Sequence, residues 1–340
     1  MGSIATLPTA HVTPHAVIQP KPGIGDVIWH LPFIRAIAAV SPGGQVTFLA
    51  PPTSGARELL VAEPAVAETI YFQHSGSELQ RGINLIRLVV LLRRCRFRKI
   101  WILDRTVRPA LATFLAGIPE RIGVGLTGQR RFITNSGIPQ SHFHNFPIEW
   151  LVKLMADTGV PFTTTEPGLR IPSETLAAIG ERFASLPRPW LVLGIAASHP
   201  DKDWPAAYWK ELMSGLRQLM AGTVFLIGGA PNIARADSLI AATAGAATIN
   251  ACGLKLMEAT ALLAHADLFI GTDSGPLNLA AAAGTDAFGF FGATPVLKYS
   301  KYIHPIVPDG GPVRGGMTRI SPARVLEQVR PYLSRRKERA

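Results

Sequence analysis

LFIGTDSGPLNLAAAAGTDAFGFFGATP, residues 268–295, is the stretch that decides the fold of this chain. A short apolar run from Leu268 to Ile270 is typical of a strand, and a second run extends from Ala287 to Phe291. Between the two runs the sequence predicts a helix, because Asp273 and Ser274 are good N-cap residues. The stretch therefore predicts a strand, a tight turn, a helix and a second strand, which is the repeating unit of a parallel sheet.

The turn before this helix is a candidate anion site. Where a helix starts at the carboxyl end of a parallel strand, its unpaired N–H groups and positive dipole end favour an anion such as a phosphate. Thr272, Asp273, Ser274 and Gly275 occupy that turn. Because every doubly wound sheet has several such turns, spacing alone leaves an ordinary connection and an anion site equally open.

The same stretch resembles a known family. GTDSGPLNLAAAAGT followed by FFGATP is similar to the nucleotide-sugar signature of glycosyltransferase family 9, the ADP-heptose:lipopolysaccharide heptosyltransferases. Two further strings carry the resemblance, GIGDVIWHLP at 23–32 and DKDWP at 201–205. It implies an α/β fold of GT-B architecture, with two doubly wound parallel-sheet Rossmann-like domains facing a cleft and a C-terminal helix crossing back. One position departs from the pattern, since Asn278 stands where the family usually has His.

Length and composition fit two domains. The 340 residues, 47% of them hydrophobic, exceed one ordinary core and can bury two. We expect a disordered leader over 1–14 and an N-terminal acceptor-binding domain over 15–172. A C-terminal nucleotide-sugar-binding domain follows over 173–318, and a C-terminal helix with a basic tail over 319–340.

The charge of the chain bears on its partners. Residues 1–160 carry 16 Lys and Arg against 9 Asp and Glu, which is +7 of the net +11. A basic N-terminal half fits an anionic acceptor or an acidic membrane surface, and no nucleic-acid-binding motif accompanies it. LLRRCRFRK, residues 91–99, is the strongest basic cluster and is either a solvated helix end or a membrane or acceptor patch.

The expected compartment is the cytoplasm. No apolar run approaches the roughly 18 residues that span a bilayer, and the N-terminus has no secretory signal pattern. Cys95 and Cys252 have no partners at metal or redox spacing, which indicates a reducing compartment and two buried thiols. Peripheral contact with the cytoplasmic face of the inner membrane is a further expectation.

A dinucleotide cofactor is disfavoured. The G-x-G-x-x-G pattern has Ile28 at its third position, and the next predicted strand, Val46 to Ala50, ends without an acidic ribose ligand. No Asp-x-Asp pair appears at the end of a predicted strand, and clustered metal ligands are lacking. We therefore expect no cofactor and no obligatory metal.

Glycosyl transfer from a nucleotide sugar needs a group that neutralises the departing diphosphate. The resemblance assigns this role to Lys202. Lys202 could instead be an ordinary surface lysine that pairs with Asp201 or Asp203. The amides of Ser274 and Gly275 could bind the same phosphates. The remaining candidates for nucleotide-sugar binding are Gly25, Ser198, Thr272, Asp273 and Asn278.

The acceptor hydroxyl needs a base. The resemblance assigns that role to Asp26, which could instead only cap a helix. His30, four residues later, could share a helical face with Asp26 or be an ordinary core residue. Arg130 and Arg131 are candidate contacts for acceptor phosphate or carboxylate. Asp273 could bind the donor sugar's hydroxyls or its own backbone turn.

The resemblance implies an inverting glycosyltransferase. It would move a heptose or related sugar from a nucleotide-diphosphate sugar, with ADP-heptose as the first candidate, to a lipopolysaccharide core, another anionic glycan or a lipid-linked acceptor. The family's ribose acid is missing after the GGAP turn, where Asn232, Ile233 and Ala234 follow, so the nucleotide base stays open. Two alternatives are a nucleotide-sugar 2-epimerase-like enzyme and a non-catalytic member that binds nucleotide sugar or glycan.

Overall fold

Two compact α/β units make up the chain, dividing between Pro167 and Gly168. The structure is a computed structural model that describes residues 13–337 except 74, 198, 244–246 and 297. Each unit contains one wholly parallel sheet with helices in the connections, because parallel strands can be joined only by crossovers. The predicted fold class is confirmed, and the division falls just before the predicted boundary at 172.

The first unit has a five-stranded sheet in the order β3-β2-β1-β4-β5. Its strands are β1 (His15–Ile18), β2 (Val46–Ala50), β3 (Val66–Tyr71), β4 (Lys99–Ile102) and β5 (Glu120–Gly123). Its helices are α1 (Ile24–Ala39), α2 (Ala56–Leu59), α3 (Glu78–Cys95), α4 (Val107–Leu115) and α5 (Pro147–Asp157). The direction of winding reverses between β1 and β4, which are neighbours in the sheet.

The second unit has a six-stranded sheet in the order β11-β10-β9-β6-β7-β8. Its strands are β6 (Trp190–Gly194), β7 (Thr223–Ile227), β8 (Thr248–Asn250), β9 (Leu268–Thr272), β10 (Ala287–Phe290) and β11 (Ile303–Ile306). Its helices are α6 (Ser173–Phe183), α7 (Ala206–Leu219), α8 (Ile233–Ala241), α9 (Leu256–His265), α10 (Gly275–Ala282) and α11 (Pro322–Lys337). Winding reverses here between β6 and β9.

An aromatic cluster in the second unit's core anchors the loop after β6. Trp204 is fully buried, with ring centroids 4.9 Å from Trp209 and 4.7 Å from Phe290. Its indole N–H donates to the carbonyl of Ile320 over 2.9 Å. Because Trp204 lies two residues after Lys202, this buried ring limits where the lysine's backbone can lie.

Helix α1 contains a proline, since it runs uninterrupted from Ile24 to Ala39 with Pro32 inside it. Pro32 has no N–H for the carbonyl of Ile28, which normally weakens a helix. Burial on both sides of the proline compensates for the missing bond. The fully buried hydrophobic residues nearest to it are Val27, Ile28, Leu31, Phe33 and Ile34.

The predicted leader needs a correction at its end. Residues 1–12 lie outside the described residues. Thr13 donates its N–H to Thr47 Oγ1 over 3.1 Å, and the carbonyl of Pro14 accepts from the N–H of Arg98 over 2.8 Å. Thr13 and Pro14 therefore belong to the start of the first sheet, because these bonds tie them to β2 and to the residue before β4.

The C-terminal helix α11 packs within the second unit, against α7. Leu326 lies so close to Gly215 that any side chain at position 215 would clash with it. Ser321 caps the start of α11, since its Oγ accepts from the N–H of Arg324 over 3.3 Å. Crossing of this helix to the first unit stays a prediction.

Candidate functional site

Two loops of the second unit come together where the order of its strands reverses. Gly194 at the end of β6 pairs with Gly271 in β9, so the loops that follow the two strands leave the same edge of the sheet side by side. In open parallel sheets this reversal forms the crevice in which ligands bind. The loop after β6 carries Lys202, and the turn after β9 carries Asp273 and Ser274.

Lys202 is bound to Asp273. Its ammonium lies 2.6 Å from Asp273 Oδ2 and 3.2 Å from the Asp273 carbonyl oxygen. The two side chains are 22% and 19% exposed, so the pair is neither fully buried nor fully solvated. The alternative pairing of Lys202 with Asp201 or Asp203 is therefore wrong. Asp203 instead pairs with Arg235 over 2.8 Å.

Thr294 completes this cluster, and the sequence analysis did not single it out. Its hydroxyl donates to Asp273 Oδ2 over 2.7 Å. The Asp273 carboxylate thus joins the loop after β6 to the turn after β10, and among the described residues its bonds are to these two loops and not to its own backbone turn. The available signal was the position of Thr294 in FFGATP, one of the strings that carry the family resemblance.

The turn before α10 is held by hydroxyl groups. Thr272 Oγ1 donates to the Ala196 carbonyl over 2.7 Å, and Ser274 Oγ donates to the Thr272 carbonyl over 3.2 Å. Ser274 is the N-cap of α10 but makes no side-chain bond to the helix. The Ser274 hydroxyl therefore does not occupy the first N–H groups of α10, among them that of Gly275.

Asn278 has internal partners at both ends of its amide. Its Nδ2 donates to the Ser274 carbonyl over 2.8 Å, and the buried Tyr299 hydroxyl donates to its Oδ1. An amide can join a carbonyl to a hydroxyl in this way because it has both a donor and an acceptor group. Asn278 thus braces the turn that contains Ser274, which is a structural role for the residue that departs from the family pattern.

In the first unit, Asp26 lies in the first turn of α1 and is half-buried. Its Oδ2 accepts the N–H of Gly23 over 3.2 Å, as a capping residue does. A Cβ at Gly23 would lie 2.7 Å from the same oxygen, so only glycine leaves room for this contact. The capping alternative is thus observed. Because Asp26 is only half-buried, this contact leaves its role as the base an open proposal.

His30 is a core residue that contacts the backbone of Asp26. It is fully buried, its Nδ1 hydrogen-bonds the Asp26 carbonyl, and its Nε2 lies 2.9 Å from the Leu103 carbonyl. Burial lowers the pKa of His30 from 6.5, and its bonds to the two carbonyls and the charges of Asp26 and Asp104 oppose that shift only in part. His30 therefore links the start of α1 to the end of β4.

Asp104 and Gln19 mark the reversal point of the first sheet, and the sequence analysis missed both. Asp104 follows β4, is 5% exposed, and accepts the N–H of Thr106 over 2.8 Å, while Lys21 lies 3.6 Å from its other oxygen. Gln19 follows β1, is fully buried, and its amide atoms have no hydrogen-bond partner in the part of the chain that the structure describes. The signal was a polar residue within two positions of the end of each central strand.

The other predicted site residues belong to the first unit or lie outside the described residues. Gly25 is in the first turn of α1 and belongs to the first unit. Arg130 and Arg131 are exposed in a short 3-10 helix, Thr127–Arg131, where the Arg130 guanidinium donates to the Ile138 carbonyl over 3.0 Å. Ser198 lies outside the described residues.

The described residues also bear on metal binding and on membrane crossing. These ranges contain no group of three or more His, Cys, Asp or Glu side chains arranged to hold a metal. Cys95 and Cys252 are free thiols, and burial raises the pKa of each to about 11. Over the same residues, no helix has both the length and the apolar character required to cross a bilayer.

Each of the two parallel sheets reverses its winding, and one of them has a lysine at the reversal point, beside the start of a helix. This combination is typical of nucleotide-binding α/β proteins. The profile of glycosyltransferase family 9 (heptosyltransferase) matches residues 85–307, more than half of the chain. The chain therefore belongs to glycosyltransferase family 9 and is a glycosyltransferase.

Individual relatives agree with this assignment. The chain is 27% identical to lipopolysaccharide heptosyltransferase 2 of Salmonella typhimurium, over 92% of this chain and 96% of the relative. The solved E. coli ADP-heptose lps heptosyltransferase II has a TM-score of 0.75 at 23% identity, covering 95% of this chain and 99% of that one. The E. coli heptosyltransferase WaaC with ADP-2-deoxy-2-fluoro heptose has a TM-score of 0.69 at 19% identity, covering 93% and 99%.

Proposed function

We propose that this enzyme transfers a heptose from ADP-heptose to a lipopolysaccharide core or another anionic glycan, with inversion at the transferred carbon. The observation that carries the proposal is the Lys202 ammonium, held by Asp273 where the strand order of the second sheet reverses. The family match and the name of the Salmonella relative support heptose as the sugar. The ADP-sugar in the E. coli heptosyltransferase structure supports the nucleotide.

The donor's diphosphate is the leaving group, and its negative charge grows as the bond to the sugar breaks. Lys202 supplies a compact positive charge for it, and the amides of Ser274 and Gly275 add donors at the start of α10. Asp273 holds Lys202 in place and offers its carboxylate to the sugar hydroxyls. Thr272 and Asn278 brace the same loops, and Ser198 is proposed as a further contact for the nucleotide sugar.

The acceptor hydroxyl loses its proton to Asp26, and its oxygen attacks the anomeric carbon from the face opposite the diphosphate. One bond to that carbon forms as the bond to the phosphate oxygen breaks, so a single displacement inverts the configuration. Gly25 presents backbone beside this carboxylate, and Arg130 and Arg131 bind acceptor phosphates. No metal or cofactor takes part in the proposed step.

The test is a transfer assay with ADP-heptose and a water-soluble, delipidated core glycan as acceptor. Asp26→Asn should lower turnover by about 100-fold or more while leaving the affinity for ADP unchanged, as loss of a general base does. Glu58→Gln, which neutralises an exposed carboxylate of α2, is the matched control and should transfer normally. Undiminished turnover by Asp26→Asn would remove it as the base.

The same assay separates the alternatives. Conversion of the nucleotide sugar without acceptor would indicate an epimerase-like enzyme. Transfer from UDP- or GDP-sugars but not from ADP-heptose would contradict the proposed donor.

The acceptor class also bears on location. We propose that the enzyme works at the cytoplasmic face of the inner membrane and contacts it peripherally, because a lipid-linked acceptor would be held there. The net charge of +11 supports attraction to an anionic surface.

A further inference from the structure

Helix α3 of the first unit has an apolar stripe on its outer side. Leu79, Ile83, Ile86 and Val90 are 77%, 41%, 66% and 42% exposed. Their spacing of four, three and four residues places them on one face of the helix. The stripe extends for about 17 Å, at 1.5 Å per residue.

The opposite side of α3 already has its packing partner. Leu88 and Leu92 are 5% and 0% exposed and belong to the hydrophobic core of the first unit. The outer stripe is therefore not needed to hold the helix on its sheet. Single exposed aliphatic residues are ordinary on protein surfaces, but four in one row form a patch suited to an apolar partner.

Helix α4, the neighbour of α3, adds to the patch. Phe114 and Leu115 at its end are 48% and 44% exposed. The Arg93 guanidinium donates to the Leu115 carbonyl over 2.9 Å, which places the end of α4 beside the last turn of α3. The apolar surface therefore continues from one helix to the next, with an arginine where they meet.

The charge around the patch is predominantly positive. Residues 79–119 contain nine Lys and Arg and a single acidic residue, Asp104, which is buried. Arg87, Arg94, Arg96 and Arg98 are exposed on α3 and just after it. The carboxylates at the two ends, Glu78 and Glu120, are paired with Arg81 and Arg108 and with Lys99 respectively.

We infer that the outer face of α3, with the end of α4, docks onto an anionic lipid surface, the arginines binding headgroup phosphates and the stripe entering the headgroup boundary. This inference rests on the membrane contact proposed above and assigns it to a surface. An amphipathic helix that lies in a membrane interface combines an apolar face with flanking Lys and Arg in this way. The exposed arginines beside a continuous apolar stripe favour a phosphate-bearing lipid surface over a protein partner.

The position of α3 also suits the reaction. Helix α3 follows β3 and helix α1 follows β1, and both strands run parallel in one sheet. Both helices therefore start at the same edge of that sheet, and the stripe begins at Leu79, in the first turn of α3. A bilayer on this face would hold a lipid-linked acceptor near the edge at which Asp26 lies.

The test is flotation of the full chain with phosphatidylcholine vesicles that contain or lack phosphatidylglycerol. We expect binding only to the anionic vesicles, weakening as salt rises. The variant Leu79→Gln, Ile83→Gln, Ile86→Gln, Val90→Gln should bind anionic vesicles at least about 10-fold more weakly. This factor corresponds to the free energy of burying one aliphatic side chain. Arg87→Gln with Arg94→Gln should lose about 5-fold per arginine.

The controls separate docking from folding and from catalysis. Val61→Gln and Ile233→Gln remove equally exposed aliphatic side chains elsewhere and should bind vesicles normally. All variants should transfer normally to the water-soluble acceptor. Vesicle binding therefore tests this inference, and transfer to the soluble acceptor separately tests the proposed function. It would be overturned by wild-type protein that ignores anionic vesicles, by unchanged binding of the stripe variant, or by a dimer that the stripe variant abolishes.

Discussion

Replacing Lys202 by Met is the most direct test of the donor site. The ammonium makes two contacts with Asp273, one of 2.6 Å and one of 3.2 Å, and its side chain is 22% exposed. Met keeps the length and the apolar stem of the side chain but removes the charge. Since Trp204 anchors the loop independently, the backbone at position 202 should stay in place.

Two different losses are expected, and their sizes can be estimated. Solvent screens a partly exposed ion pair, so loss of the Lys202–Asp273 bond should lower the free energy of unfolding by only about 1 kcal/mol. A hydrogen bond between charged groups contributes about 1.5–3 kcal/mol, so loss of a lysine–diphosphate contact should weaken ADP binding by about 10- to 150-fold. The variant should therefore be folded but bind ADP poorly.

Titration calorimetry with ADP measures the second loss, and a second variant sharpens it. In the protein without ligand, Asp273 holds Lys202, so a diphosphate that binds must compete with Asp273 for the ammonium. Asp273→Asn should therefore bind ADP at least as tightly as wild type, while the additional affinity due to the sugar of an ADP-sugar should fall. Lys210→Met, which removes an exposed lysine of α7, is the matched control. Unchanged ADP binding by Lys202→Met would refute the assignment of Lys202 to the diphosphate.

Three further predictions concern stability and are checked by urea unfolding. Gln19→Met should raise the free energy of unfolding by about 1–3 kcal/mol, because it removes a buried amide without partners; a loss would show that the amide has a partner, such as a bound water. Trp204→Ala should lower it by about 3–5 kcal/mol, and a loss below 1 kcal/mol would contradict the anchoring role. Stability should fall as the pH drops below 6.5, because burial lowers the pKa of His30 and His15 and the unfolded chain then binds more protons than the folded chain. His30→Gln should reduce this pH dependence. An unchanged slope would show that His30 does not contribute to it.

The second unit could be predicted well because its signals are local. Strand, turn and helix follow one another within residues 268–295, and the apolar runs and N-cap residues there predict all three. The edge strand β11 was missed, since Pro305 and His304 interrupt any apolar pattern. A proline is tolerated there because an edge strand leaves one row of N–H groups unpaired.

The contacts of the candidate site could not be predicted, because they join residues far apart in the chain. The bond from Lys202 to Asp273 spans 71 positions, and that from His30 to Leu103 spans 73. Local patterns offered Lys202 only its sequence neighbours Asp201 and Asp203 as partners. The order of strands, which places β6 beside β9 and β1 beside β4, makes the distant partners adjacent.

The two units use the same topological position in different ways. In each sheet a lysine from the loop after the first central strand faces a carboxylate after the second, Lys21 with Asp104 and Lys202 with Asp273. The second pair is close, at 2.6 Å, and its lysine is 22% exposed; the first is 3.6 Å apart, and its lysine is 47% exposed. A lysine that is already held loses less side-chain entropy when a phosphate binds, although the phosphate must compete with the carboxylate for it. Because Lys202 is already held, the lysine at the second sheet is better suited to bind the diphosphate than the lysine at the first sheet. What distinguishes the first unit is the half-buried acidic residue Asp26, the proposed base.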